Sequence, residues 1–449
     1  MSIVELQPVC TTPLDESLPR LRRFVSEFTG VVHATSETLH TADEFRLVSI
    51  GCELADTQDI IGTSFSDPTG SSQLDRGAAL AATIGEALER YSASYLPPGA
   101  HVILASARDL GPEAVDPAQF ALFSEAQHAD PEFPYERFID TTVIRWVRGF
   151  ELPSGQPKYL PLQLTYMPWH FRQSDEAAIG HATSSGIACG PTLEEAILTG
   201  LLEVIERDAV MLTWYNRLSL PRLEWTGHAG LTALAERYFE PAGLRYTAVD
   251  LSVFLGVPTA FGVVRGHPGV VGAIGVGAGS APTVEVAWRK ALAEAFSVQR
   301  WIRDRALEAP ERVGLDADEI ATFTDHCLYY VTHDRAELTS FLDASPETVD
   351  VGGVGPLEGD TVLGQIEAIM RRLHARGVTA YAVDITAPDV RDAGFAVAHV
   401  IAPELCPLDV LAGVRFLGAR RLYTAAYESG LVPAPLTGDD LNPLPHPFP

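Results

Sequence analysis

Residues 196–212 are apolar on every side of a helix and still carry charge. Ile197, Leu198, Leu201, Leu202, Val204, Ile205, Ala209, Val210 and Met211 surround the helix axis, which is the pattern of a helix buried from all directions. Pro191 precedes it and Thr192-Leu193-Glu194-Glu195 reads as a capping box, so a helix is expected over about 193–214. Into this apolar segment the sequence sets Glu195, Glu203, Glu206, Arg207 and Asp208. At about 100° per residue, Glu195, Glu203 and Glu206 fall within roughly an 80° arc. Three acids therefore share one face of a helix that belongs mostly inside.

A second helix repeats the anomaly. It is expected over residues 77–95, rich in Ala and Leu, and is stopped by Pro97-Pro98-Gly99. It carries Glu86, Glu89 and Arg90, so both helices share the pattern Glu-x-x-Glu-Arg. A third helix, expected over 284–305 with Thr283 as N-cap, adds Glu294. Like charges at i,i+3 repel even in water, and buried charges cost several kcal/mol unless a cation answers them. Clustered carboxylates without histidine at ligand spacing favour a hard, oxygen-seeking cation such as Mg2+. Mg2+ held by few carboxylates usually shares its shell with phosphate oxygens, and arginine matches carboxylate and phosphate alike. The residues thus point to a Mg-nucleotide site. Structural ion pairs or solvated faces are the competing reading, and spacing alone does not separate the two.

The remainder of the sequence narrows the class. A chain of 449 residues is long enough for one large unit or two or three smaller ones. The formal net charge of −27 argues against a general nucleic-acid binder, which needs a basic footprint. Five cysteines without a CxxC make a tetrathiolate zinc site unexpected and suit a reducing cytoplasm. Met1-Ser2-Ile3-Val4-Glu5-Leu6 lacks a basic start and apolar run, so no signal peptide is expected. No apolar stretch approaches the roughly 18 residues of a membrane helix.

Strands are expected near 45–50, 141–147, 245–251, 258–264 and 379–384, a helix over 361–376, and a loop over 344–360. Strands and helices mix without a doubly wound order, giving an α/β (α+β mixed) class. Three parts are expected: an N-terminal β-rich segment (1–65), a main domain (66–430) and a proline-rich tail (431–449). Gly275-Val276-Gly277-Ala278-Gly279 fits a dinucleotide loop poorly and reads as a turn. His170 reads as a core or surface histidine. His181 is a candidate for proton transfer, and Cys189, just before a helix, is assigned to packing.

Two spans carry a resemblance. Ala82-Thr83-Ile84-Gly85-Glu86-Ala87-Leu88-Glu89-Arg90 is the shorter. The longer is Ser185-Gly186-Ile187-Ala188-Cys189-Gly190-Pro191-Thr192-Leu193-Glu194-Glu195, continuing through Glu203-Val204-Ile205-Glu206-Arg207-Asp208. Both resemble the signature helices of the YcaO family. Ala291-Leu292-Ala293-Glu294 is similar to its third helix, and Val383-Asp384-Ile385-Thr386 and Ile401-Ala402-Pro403-Glu404-Leu405 resemble its late segments. The resemblance covers roughly residues 65–415. It implies the YcaO fold, with ATP between glutamate-bearing helices. It further implies that Glu86, Glu89, Glu195, Glu203 and Glu206 hold Mg2+, and that Arg90, Arg207, Glu195 and Glu294 contact the nucleotide. The implied activity is phosphorylation of a backbone amide oxygen in a precursor peptide. In the azoline-forming branch a Cys, Ser or Thr attacks the preceding carbonyl. Other branches make thioamides or amidines.

Pro445, Pro447 and Pro449 resemble the alternating prolines that azoline-forming members place at the active site, so they are assigned to catalysis. The sequence departs from the family at Ser71-Ser72-Gln73, where many members have Gly-Lys-Gly, and at Ala82, where many have serine. These departures leave a catalytically silent, nucleotide-binding subunit as a further reading. A separate leader-peptide-binding partner is expected, with no nucleic acid and no membrane, and a homodimer is one expectation because family members are often dimers.

Overall fold

The computed structural model describes residues 12–57, 69–167, 175–409 and 411–449. His170 lies outside them. No helix among the described residues is long and apolar enough to cross a membrane.

Three sheets organise these residues. The first is antiparallel: β1 (Val32–Thr38), β2 (Val48–Leu54) and β3 (Thr69–Gln73) in that order. A helix, α1 (Leu14–Leu21), precedes it, so the N-terminal region is not purely β-rich. The six-stranded sheet runs β4 (Val102–Ser106), β5 (Val143–Glu151), β13 (Tyr381–Asp384), β14 (Ala396–Ile401) and β7 (Ile187–Gly190), with β6 (Pro157–Pro161) attached to β5. The five-stranded sheet runs β11 (Ile274–Ser280), β10 (Thr259–Arg265), β9 (Arg245–Asp250), β8 (Arg222–Glu224) and β12 (Thr348–Asp350). β12 falls within the segment expected to be a loop.

The charged, apolar segment is α3 (Leu193–Tyr215). It packs on β14 and β7 of one sheet and on β11 of another, with α5 (Val362–His374) and α6 (Arg420–Glu428) also against it. Neighbours on several sides explain why its sequence is apolar all round. Thr192 caps it by accepting the Glu195 N–H at 3.2 Å. The first acidic helix is α2 (Arg76–Ala93), capped by Asp75, which accepts the Ala78 N–H at 2.9 Å. α2 packs on β2, β3 and β7. β7 is thus a platform shared by α2 and α3.

The glycine run is not a turn. Gly275, Gly277 and Gly279 lie in β11, and a methyl group added to any of them would meet backbone of α4 (Val284–Glu308) within 2.6 Å. Alternation in a strand points all three to one face, so glycine there lets helix and sheet approach.

Candidate active site

β7 and the residue that leads toward it pin the first group of acids. The Cys189 N–H donates to Glu89 at 2.7 Å, and the Gly186 N–H donates to Glu203 at 3.1 Å. Gly186 has φ +88°, and a Cβ there would sit 2.1 Å from the Val400 oxygen, so only glycine brings this N–H to the carboxylate. Burial raises the Glu89 carboxyl well above its ordinary range, and Glu203 and Glu86 raise it further. Burial also raises Glu86, against the pull of Arg90, and Glu203 adds to the rise. Arg90 lies 3.4 Å from Glu86, and the Gly70 backbone on β3 also bonds that carboxylate. Acids from two helices therefore face one another.

The second group hangs on β11. Glu206 accepts from Ser280 N–H and Glu294 from Ala278 N–H, each at 2.7 Å. Burial pushes Glu294 up to about 7, with Arg207 opposing and Glu206 reinforcing the shift. Lys290 Nζ donates to the Ser280 oxygen at 3.3 Å and stands 3.8 Å from Glu206. Arg207 joins the two groups. It donates to Glu203 at 3.2 Å, and although burial works against its charge, Glu203, Glu206 and Glu294 hold it protonated.

Each of Glu89, Glu206 and Glu294 commits one oxygen to a backbone N–H. Their other oxygens take no hydrogen bond from the described residues. An all-oxygen donor set on a desolvated cluster fits a hard divalent cation. As they stand, no three acids among the described residues are gathered at metal-ligand geometry; a cation would have to draw them in.

The other predicted residues separate. Glu195 is buried but lies eight residues, about 12 Å along the helix, before Glu203. Its carboxylate accepts from the Thr192 hydroxyl at 3.4 Å. Asp208 is wholly buried and structural. It takes Arg421 through two bonds of 3.1 and 2.7 Å and the Cys406 N–H at 2.9 Å. Cys189 lies on β7 rather than in a loop, and burial together with Glu89 drives its thiol pKa far up, which suits packing.

The last part of the proline tail, residues 445–448, is extended and buried, whereas most of 431–440 is exposed. Prolines carry no N–H, so such a segment can enter the interior without orphaned donors at those positions. Its carbonyls are met in turn. Trp214 donates to the Leu444 oxygen at 3.0 Å, Tyr330 to Pro445 at 2.5 Å, Cys327 to Pro447 at 3.5 Å and Arg207 to Pro449 at 3.5 Å. Pro449 is therefore brought to the arginine at the centre of the acids, while Pro445 and Pro447 anchor the approach.

Beside Arg207 lies a cavity of about 90 Å3, lined also by Val204, Phe120, His181, His399 and Phe416. Tyr135 and the His181 Nδ1 are 2.9 Å apart, and His181 Nε2 is buried without a partner. Burial lowers the His181 pKa to about 4, so the ring is neutral at pH 7. Lys290 escaped the sequence reading, although its i,i+4 spacing from Glu294 was visible.

The arrangement is a buried acid cluster on a mixed α/β scaffold, and comparisons give the class of the chain. The family model of the YcaO cyclodehydratases, described as ATP- and Mg2+-binding, matches residues 72–406. The chain belongs to the YcaO family. An uncharacterised protein of Methanothermobacter thermautotrophicus is 28% identical over 271 residues, which is 58% of this chain and 65% of the relative. An uncharacterised protein from the tfuA 3′ region of Rhizobium leguminosarum bv. trifolii is 30% identical over 137 residues, 28% of this chain and 30% of that one. The chain thus spans less than two thirds of these relatives. A heterocyclase solved in complex with substrate and cofactor superposes with TM-score 0.80 at 23% identity, over 99% of this chain and 59% of that one. YcaO from Methanopyrus kandleri, bound with AMPPCP and Mg2+, gives 0.64 at 19% identity, over 90% and 94%. At these identities the likeness establishes the fold.

Proposed function

We propose that this chain is an ATP- and Mg2+-dependent enzyme that phosphorylates a backbone amide oxygen of a precursor peptide, cyclising Cys, Ser or Thr onto the preceding carbonyl. The observation that carries the reading is Arg207, set among Glu203, Glu206 and Glu294 while it also meets the proline tail. Glu86, Glu89, Glu203 and Glu206 hold Mg2+, Arg90, Arg207 and Glu294 contact the nucleotide, and Glu195, about 12 Å along α3 from Glu203, is left out of the metal set. Bound Mg-ATP supplies the phosphoryl group that makes the amide oxygen a leaving group.

The chain's own residues do the rest. Arg207 offers positive charge where an anionic oxygen would form. Pro449 walls the site on the tail side, Pro445 and Pro447 anchor its approach, and none of the three brings an N–H to compete there. The cavity beside Arg207 gives the peptide a place next to the acids. A separate protein grips the leader peptide, and the chain works in the cytoplasm.

The tail favours azoline formation over the thioamide and amidine branches. Ser72, tied to Ser49 at 2.7 Å, and the exposed Ala82 favour the second reading, a silent ATP-binding subunit. Calorimetry of Mg2+-dependent ATP binding, followed by phosphate release with peptide and partner, tests both. Binding with peptide-dependent release supports the enzyme, and binding without release supports the silent subunit. The absence of binding by the wild type would sink the nucleotide site itself.

A further inference from the structure

The buried end of the proline tail lies against the helix Phe323–Tyr329 and the residue that follows it, Tyr330. Tyr330 and Cys327 hold the Pro445 and Pro447 oxygens, and His326 takes the one between them. Its Nδ1 lies 3.1 Å from the His446 oxygen. A carbonyl only accepts, so that nitrogen carries the hydrogen. The two imidazole rings stack with centroids 4.3 Å apart, and each residue is 2% exposed. His446 Nε2 stands 2.8 Å from the Asp409 oxygen and donates to it. Nδ1 is then the bare nitrogen of the His446 ring, buried without a hydrogen-bond partner.

A proton on that nitrogen would make a cation where the surroundings suit a neutral ring. Arg207 faces His446 from α3 with a positive charge, and His326 faces it from the helix Phe323–Tyr329. Both act with burial to hold His446 well below the ordinary histidine range, and the backbone carbonyls of Asp409 and Phe448 oppose them. The Asp409 carboxylate is engaged elsewhere, by the Tyr215 hydroxyl and by the Phe416 N–H at 2.6 Å. Burial raises it to about 6, so in acid it offers no anion. Cys327 and Tyr330 are raised by burial and stay uncharged. A buried charge without an opposite partner is neutralised or expelled, and this one would sit on the tail.

We propose that the stacked His326–His446 pair is a proton-operated latch: a proton taken up on either ring drives the proline tail off the core and withdraws Phe448 and Pro449 from Arg207. The latch adds regulation to the site and stands whether or not a nucleotide binds there. Its sign follows from linkage. A released tail carries His446 at an ordinary pKa of about 6.5, and the docked ring is held below that. Docking is therefore at full strength above about pH 6.5. Below it, docking weakens by about tenfold per pH unit for each proton the docked state excludes.

The test is the labelling rate of Cys327, which is 4% exposed and meets the tail at Pro447. The reagent is dipyridyl disulfide, and each rate is divided by that of free cysteine at the same pH. Cys52, buried in β2, reports general unfolding in the same sample. From about pH 7.5 to about pH 5.5, Cys327 labelling in the wild type should rise at least about tenfold, with Cys52 unchanged. H446F and H326F each keep a ring in the stack and remove one protonation site, so each should diminish the rise. Where H446F already labels fast at neutral pH, H326F and the wild-type profile decide. A flat wild-type profile would overturn the latch. So would Cys52 rising in step with Cys327, which marks acid unfolding of the whole chain. A rise undiminished in both variants would place the sensor elsewhere and overturn it too.

Discussion

The guanidinium of Arg207 lies 4.6 Å over the ring of Phe448. That ring is fully buried and stacks on Phe261 with centroids 6.2 Å apart. One arginine thus ties the acid cluster to the tail. Phe448→Ala should cost about 3–5 kcal/mol of stability, as for other buried aromatic truncations, read from urea unfolding midpoints. A loss below about 1 kcal/mol would mean the tail detaches easily from the core.

Removal of residues 445–449 takes away the three prolines together with the packing of Phe448, so its effect on chemistry is read on the folded fraction. Peptide-dependent phosphate release should fall more than tenfold, while Mg-ATP affinity stays within about threefold. Intact turnover in the truncated protein would dismiss the catalytic assignment of the three prolines.

Glu86→Gln and Glu203→Gln each keep the side chain's shape and delete a charge. Each should weaken Mg2+-dependent ATP binding by at least about tenfold, measured by calorimetry, since hard cations need charged oxygens. Asp208→Asn is the control one residue past the Glu-x-x-Glu-Arg pattern. It breaks a buried ion pair with Arg421 and should cost about 3–5 kcal/mol in stability, with nucleotide affinity of the folded fraction unchanged.

Glu294 gives a pH dependence whose sign can be worked out. Its folded pKa of about 7 exceeds the ordinary 4.5, so the native state holds a proton that the unfolded chain gives up. The stabilisation is complete below about pH 4.5 and is lost as pH rises through about 7. In metal-free buffer Glu294→Gln should therefore be near neutral at pH 4.5. It should become stabilising by on the order of 2–3 kcal/mol at pH 7.5, with Tm against pH as the measurement. A constant offset between variant and wild type at both pH values would show that the carboxyl is not perturbed.

The sequence made the site legible because charge inside an apolar helix is costly and therefore informative. Glu86, Glu89, Glu203, Glu206 and Glu294 stood out as candidates through that conflict, which did not by itself separate a cation site from structural ion pairs, and the α2, α3 and α4 spans followed to within a few residues. Asp208 could not be separated from them, because its partner Arg421 is 213 residues away and no local spacing reveals it. β11 was misread because glycine is a weak strand former, and the force that keeps it extended comes from a helix later in the chain.

That strand has a consequence for anyone mapping this protein by saturation mutagenesis. At Gly275, Gly277 and Gly279 even alanine collides with a rigid helix backbone. Ala278 and Ser280, the residues that hold Glu294 and Glu206 by their amides, alternate with those collisions. An activity screen would therefore score the glycines as intolerant as the carboxylates, although they touch no reacting atom. Reading expression level alongside activity would tell the two kinds of intolerance apart.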